Sequence, residues 1–204
     1  LNTSSNQQKT FILYTKKNKK MIIKIFGAYP WSVKDENYIE EEKTTKNEFS
    51  PKAINTIIDR VKGRIEIERA KDSSIPEVKI FYSRLRATSG SFVIDSIRNR
   101  MQSAYAIIFD ITDFNPNVML ELGVALELQQ RTDCKAKVFL ICRAEKYCHK
   151  LLPSDLTGYF LSTYDINDKT YEVTFGDGGS LVMRITSDVF ERLDISYIEQ
   201  IQVV

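Results

Sequence analysis

Three features of this 204-residue chain predict a doubly wound α/β fold. Apolar runs of strand length alternate with stretches of helical period over most of the sequence, the pattern of a parallel sheet covered by crossover helices. One run, YAIIFDI at 105–111, is apolar at nearly every position, as a strand buried on both faces must be. With 43% hydrophobic residues, the chain can fill one substantial core and is too short for two comfortable ones.

The elements follow in order. The polar opening LNTSSNQQ and the basic run KKNKK read as a linker, an added scar or a cut from a longer chain, so residues 1–20 are set apart from a single domain over 21–204. MIIKIF at 21–26 is the first strand. A long polar loop follows, from Gly27 to Phe49, with Tyr29 and Trp31 near its start; its length and charge predict a mobile segment or a lid. Ser50 and Pro51 open a helix in which Ile54, Ile57, Ile58, Val61 and Ile65 recur at helical spacing. VKIFY at 78–82 is the second strand, RLRATSGS a loop, and SFVIDSIRNRMQSA a helix with Phe92, Ile94, Ile97 and Met101 inward and Arg98 and Arg100 outward. The third strand is 105–111, and NPNVMLELGVALEL at 115–128 is a helix with Asn115 as N-cap and Pro116 at its first position. KVFLIC at 137–142 and YFLSTY at 159–164 supply strands four and five. YEVTF, the turn GDGG and SLVMRI read as a C-terminal hairpin, and TSDVFERLD as a closing helix. About five parallel strands in the order 2-1-3-4-5, a flavodoxin-like arrangement, result.

Composition narrows the function. A net charge of +2 with 27% charged residues gives no global field favouring nucleic acid. No apolar run approaches the roughly 20 residues needed to span a bilayer, and no secretory leader opens the chain, so a membrane partner is not expected. Three clustered cysteines, Cys134, Cys142 and Cys148, fit a reducing, cytoplasmic compartment rather than a disulfide framework. Their spacing with His149 fits no standard zinc site, and no metal or other cofactor is expected. A homo-oligomer or a larger parent chain is compatible with the sequence.

Ligands of such sheets bind outside the carboxyl ends of the strands. That rule selects Gly27, Tyr29 and Trp31 after the first strand, Arg84, Arg86, Ser89 and Ser91 after the second, and Asp110, Asp113, Asn115 and Asn117 after the third. Arg84, Arg86 and the serine-glycine pair ahead of a helix would suit a phosphate, without the spacing of a true phosphate-binding loop. Glu121 is the anomaly among them. It shares a helix stripe with Val118, Val124, Ala125 and Leu128, while Glu127 falls on the far, solvent side. A carboxylate on the core side must be paired, neutralised or open to a cleft. Beside strand-end aspartates it suits glycosidic-bond chemistry, in which a carboxylate attacks or stabilises an anomeric carbon and a second acid protonates the leaving group. Gly123, two residues on, removes side-chain bulk there.

The segment AIIFDITDFNPNVMLELGVAL resembles that of nucleoside 2-deoxyribosyltransferase-like proteins and of the related TIR-like nucleotide-hydrolysing proteins, in which a strand, an acidic-polar loop and a helix bearing an E-L-G element form the ribose site. FGAYPWS resembles the family's pocket-lining loop, and LLPSDLTGYFLSTY its late proline-and-aspartate turn. The resemblance implies that Glu121 is the nucleophile or ribose-contacting residue. Asp110 or Asp113 would be an acid or sugar anchor, Asn115 and Asn117 sugar-hydroxyl partners, and Tyr29 or Trp31 a stacking surface for the base. Asn115 stands where the transferases commonly carry an acid, which points away from efficient base exchange.

Two functions from different classes follow. One is an enzyme that cleaves or transfers the N-glycosidic bond of a nucleoside, nucleotide or NAD-type dinucleotide, which the resemblance places among nucleotide-depleting effectors of bacterial antiviral defence. The other is a non-catalytic module that senses a nucleotide or assembles with copies of itself as TIR-like domains do.

Overall fold

The computed structural model describes residues 20–30, 49–85, 93–131, 136–146, 156, 158–167 and 169–201. Its centre is a six-stranded sheet of β1 (Lys20–Ala28), β2 (Glu77–Arg84), β3 (Ala106–Asp110), β4 (Lys137–Arg143), β5 (Leu161–Ile166) and β6 (Val173–Phe175), in the order β2-β1-β3-β4-β5-β6. The pairs from β2 through β5 are parallel, and only β6 runs antiparallel, beside β5. Among the described residues four helices accompany the sheet: α1 (Phe49–Lys71), α2 (Val93–Gln102), α3 (Pro116–Gln130) and α4 (Ser180–Ile201). The order expected for the first five strands holds, with a sixth added. Among the described residues, no helix is long and apolar enough to cross a membrane.

The alternation of side chains along β1 divides the core in two. Met21, Ile23 and Ile25 join Ile54, Ile57, Ile58, Val61 and Ile65 of α1 and Leu181, Ile185 and Val189 of α4. Phe26 and Ala28 join Ile97 and Met101 of α2 and Val118, Leu122, Ala125 and Leu128 of α3. Strand β3 is buried at all five positions, as its unbroken apolar run requires. Each fully buried side chain of this size contributes roughly 1.5–3 kcal/mol relative to exposure.

Three details differ from the sequence reading. SLVMRI is not the second strand of a hairpin: it forms the first turns of α4, and β6 pairs with β5 instead. The reason is a cap. The Asp177 carboxylate accepts from the backbone N–H groups of Gly179 at 2.9 Å and Leu181 at 3.0 Å, and Gly178 and Gly179 carry the positive φ that turns the chain into the helix. Leu181, Ile185, Val189 and Leu193 then repeat every fourth residue on the buried side. Ile94, in the first turn of α2, is exposed while Ile97 and Met101 are buried. Glu127 does not face solvent freely: it is half-buried between Arg131 at 2.6 Å and Arg98 at 3.7 Å, so Arg98 links α2 to α3.

Candidate active site

The strand-end rim takes its shape from the turn after β3. Ile111 closes the strand, Thr112–Phe114 make one 3-10 turn, and Asp113 and Phe114 both take left-handed φ angles, 60° and 48°. Two consecutive non-glycine residues in that region are strained, and such strain gathers where a loop must present groups in a fixed way. Asn115 then caps α3, its Oδ1 accepting from the N–H groups of Asn117 at 3.1 Å and Val118 at 3.4 Å, with Pro116 at the first helical position. The Asn115 side chain is thus held by the helix it starts, and Asn117 lies exposed beside it.

Asp110, at the end of β3, is completely buried. One oxygen accepts from the Thr112 N–H at 2.9 Å and the Thr112 hydroxyl at 2.5 Å, and the other from the Tyr164 hydroxyl at 2.6 Å. Thr112 Oγ1 in turn accepts from the Arg143 N–H at 3.0 Å, which fastens the turn to the end of β4. A carboxylate so bonded orders the rim from beneath. Burial pushes the Tyr164 hydroxyl far above its ordinary range, and the Asp110 charge adds to that, so it remains a donor. Asp113, by contrast, is exposed on the turn.

Glu121 lies at the border of the buried stripe of α3, which Val118, Leu122, Ala125 and Leu128 define, and is half-buried. Burial raises its carboxyl to about 7 against an ordinary 4.5, and the charge of Arg84 opposes the rise. That opposition brings the third-strand helix and the end of β2 into one electrostatic neighbourhood. Arg84 donates to the Tyr29 carbonyl at 2.8 Å, and its guanidinium lies 4.3 Å from the centre of the Tyr29 ring. One face of the ring expected to stack on a base is therefore covered by an arginine.

Gly27 is tightly enclosed by side chains. A Cβ there would fall 2.7 Å from the Tyr82 hydroxyl and 3.1 Å from Ile54 Cδ1. The Tyr82 hydroxyl is buried, faces Tyr29 without an aligned hydrogen bond, and is pushed well above its ordinary range chiefly by burial. Gly123 has no such role, since a Cβ there would meet nothing within 4 Å.

The structure thus brings together Gly27, Tyr29 and Arg84 of the expected residues, with Glu121 within the field of Arg84. It buries Asp110 beneath them and puts Asp113, Asn115 and Asn117 on the adjoining turn and helix start. Trp31, Ser89, Arg86 and Ser91 lie outside the described residues, as do residues 31–48 of the lid expected from Gly27 to Phe49, whose ends belong to β1 and α1. Sequence reasoning missed Tyr82, Thr112, Tyr164 and Arg143. Arg143 carried a signal: it is a cation ending an apolar strand, and it stands at the carboxyl end of β4 with its guanidinium 4.4 Å from the Phe49 ring centre and 3.1 Å from Glu145. The neighbouring Cys142 thiol is buried and raised to about 11, first by burial and then by the Asp110 charge, which leaves it inert. Among the described residues no three His, Cys, Asp or Glu side chains gather as metal ligands.

A groove of about 460 Å³ exists elsewhere, at the amino ends of β4 and β5. Its Lys137 is paired with Asp188 at 2.7 Å and its Arg184 lies over Phe160, so these cations already have partners. It is at the opposite end of the strands from Glu121, the end that sheets of this kind do not use for ligands. No protein-family model matches the chain, and no curated protein matches it.

Proposed function

We propose that the chain is an N-glycosidase-like enzyme of a doubly wound, flavodoxin-like fold, acting on a nucleoside, nucleotide or NAD-type substrate, with Glu121 as its reacting carboxylate. What supports this reading is the position of Glu121, half-buried on α3 at the carboxyl ends of the strands and near enough to Arg84 for the arginine's charge to oppose the rise of its carboxyl to about 7. The resemblance of residues 105–128 to the ribose site of nucleoside deoxyribosyltransferase-like and TIR-like proteins supplies the substrate class.

In this reading the ionised Glu121 bonds to, or electrostatically stabilises, the anomeric carbon as the carbon–nitrogen bond breaks. The base departs with the bonding electrons and takes up a proton, and water completes hydrolysis. Water supplies that proton; Asp113, exposed on the turn, is a sugar anchor in this reading, whereas Asp110 orders the turn through Thr112 and Tyr164. Arg84 balances charge beside Glu121, and Tyr29 and Tyr82 line the base or sugar side. The test is release of free base from a panel of nucleosides, nucleotides and dinucleotides, with Glu121→Gln as the matched inactive chain. A carboxamide keeps the shape and loses the charge.

One observation favours a second reading. With Asp110 sealed, the described residues of the rim offer Glu121 fewer acidic partners than two-carboxylate chemistry uses, which suits a module that binds a nucleotide without turning it over. Such a module binds equally well before and after Glu121→Gln and releases no base in either form.

A further inference from the structure

We infer that β2 is an interface between two copies of this chain, which pair edge to edge and antiparallel about Ile80 into one continuous sheet. Strand β2 is the outermost of the sheet on its side, and among the described residues no strand lies beyond it. It is eight residues long, and every second side chain, Glu77, Lys79, Phe81 and Ser83, leaves one face exposed. A long edge with an exposed aromatic is what monomeric proteins usually avoid.

The backbone fixes which residues look outward. The Leu85 N–H donates to the Gly27 carbonyl of β1, so the odd-numbered residues of β2 turn their peptide groups inward and Val78, Ile80 and Tyr82 turn theirs to the open edge. In an antiparallel pair centred on Ile80, Ile80 meets its own copy and Val78 meets Tyr82, and each of these pairs exchanges both backbone hydrogen bonds. The half-buried apolar face over α1 thereby continues from one copy into the next.

On the other face the same register sets Lys79 opposite Phe81 and Glu77 opposite Ser83, with no like charges facing. Lys79 already lies 4.7 Å from the Phe81 ring centre within one chain, so the ammonium–ring pairing is repeated across the seam. A shift of two residues one way is worse, since it sets Lys79 against Lys79. Pro76, which has no N–H, ends the ladder at both ends. The two-fold axis makes the contact isologous and closed, and neither Glu121 is part of it.

Light scattering on the purified chain reads the mass directly. The expected result is twice the 23.6 kDa of one chain. Phe81 is exposed, so Phe81→Lys leaves the fold intact by circular dichroism while setting lysine against Lys79 of the second copy. Because the pair occurs twice, the dimer should weaken about tenfold. Adding Lys79→Glu to Phe81→Lys restores opposite charges and should recover the dimer. A single-chain mass at about 100 µM, as would follow if another segment of the same chain covers the edge, overturns the inference. So does a Phe81→Lys chain that dimerises as tightly as the parent.

Discussion

The Tyr164 hydroxyl of β5 donates to the Asp110 carboxylate of β3 at 2.6 Å, reaching past the intervening strand β4. This bond and the two from Thr112 leave the carboxylate with donors on both oxygens in a site that water does not reach. The pair holds the turn that leads to α3 and hence the position of Glu121.

Tyr164→Phe should therefore cost about 1–3 kcal/mol, because it leaves a buried carboxylate oxygen without its donor. The midpoint of urea unfolding reads the loss. Base release per folded molecule should change little, because the two Thr112 bonds to the other Asp110 oxygen still hold the turn. A variant with unaltered stability and a collapsed turnover would return Asp110 to the chemistry.

Gly27→Ala tests the packing beside Arg84. The added methyl meets the Tyr82 hydroxyl at 2.7 Å, and overpacking of this kind typically costs about 1–3 kcal/mol. Tyr82→Phe in the same chain removes the oxygen and should recover a large part of the loss, since the remaining ring contact is 3.1 Å. Thermal unfolding of the two single variants and the double variant measures the coupling. Strict additivity would show that the clash lies elsewhere.

The raised carboxyl of Glu121 gives stability a definite pH dependence. Between 4.5, its ordinary value, and about 7, the unfolded chain ionises this group while the folded chain keeps it protonated. The folded state then binds the extra proton, so its contribution is complete below 4.5, falls as pH rises to about 7, and is constant beyond. Glu121→Gln removes that slope. At pH 8 the variant should be more stable than the parent by roughly 1–2 kcal/mol, after discounting for the water that reaches the carboxyl, and the two should converge near pH 4. Equal stability differences at pH 4 and pH 8, measured by denaturant unfolding, would contradict the raised carboxyl.

Much of the fold was written locally. The continuous run at 105–111, the isoleucine stripe of α1 and the Asn115-Pro116 start of α3 each state their structure within a few residues. The reading of SLVMRI failed because GDGG suits a hairpin turn as well as a helix start. Only the Asp177 carboxylate, capping two N–H groups, decides between them. In the site, Glu121, Arg84 and Gly27 were legible from the strand-end rule. The bond of Asp110 to Tyr164 was not, because 54 residues separate the two and no short pattern records which side chain will pass over β4. Glu127 was misplaced for a related reason: its partner Arg98 belongs to another helix, so α3 alone could not show that the carboxylate is half-buried.

Free base released per minute by the parent chain and by Glu121→Gln, from the same panel of nucleosides, nucleotides and dinucleotides, decides whether Glu121 is a reacting carboxylate. The expected result is release by the parent from at least one substrate, rising with pH through about 7 as Glu121 ionises, and a loss of at least about 100-fold in Glu121→Gln with binding of that substrate retained. Release that survives Glu121→Gln at the parental rate, or no release by the parent from any member of the panel, would contradict it.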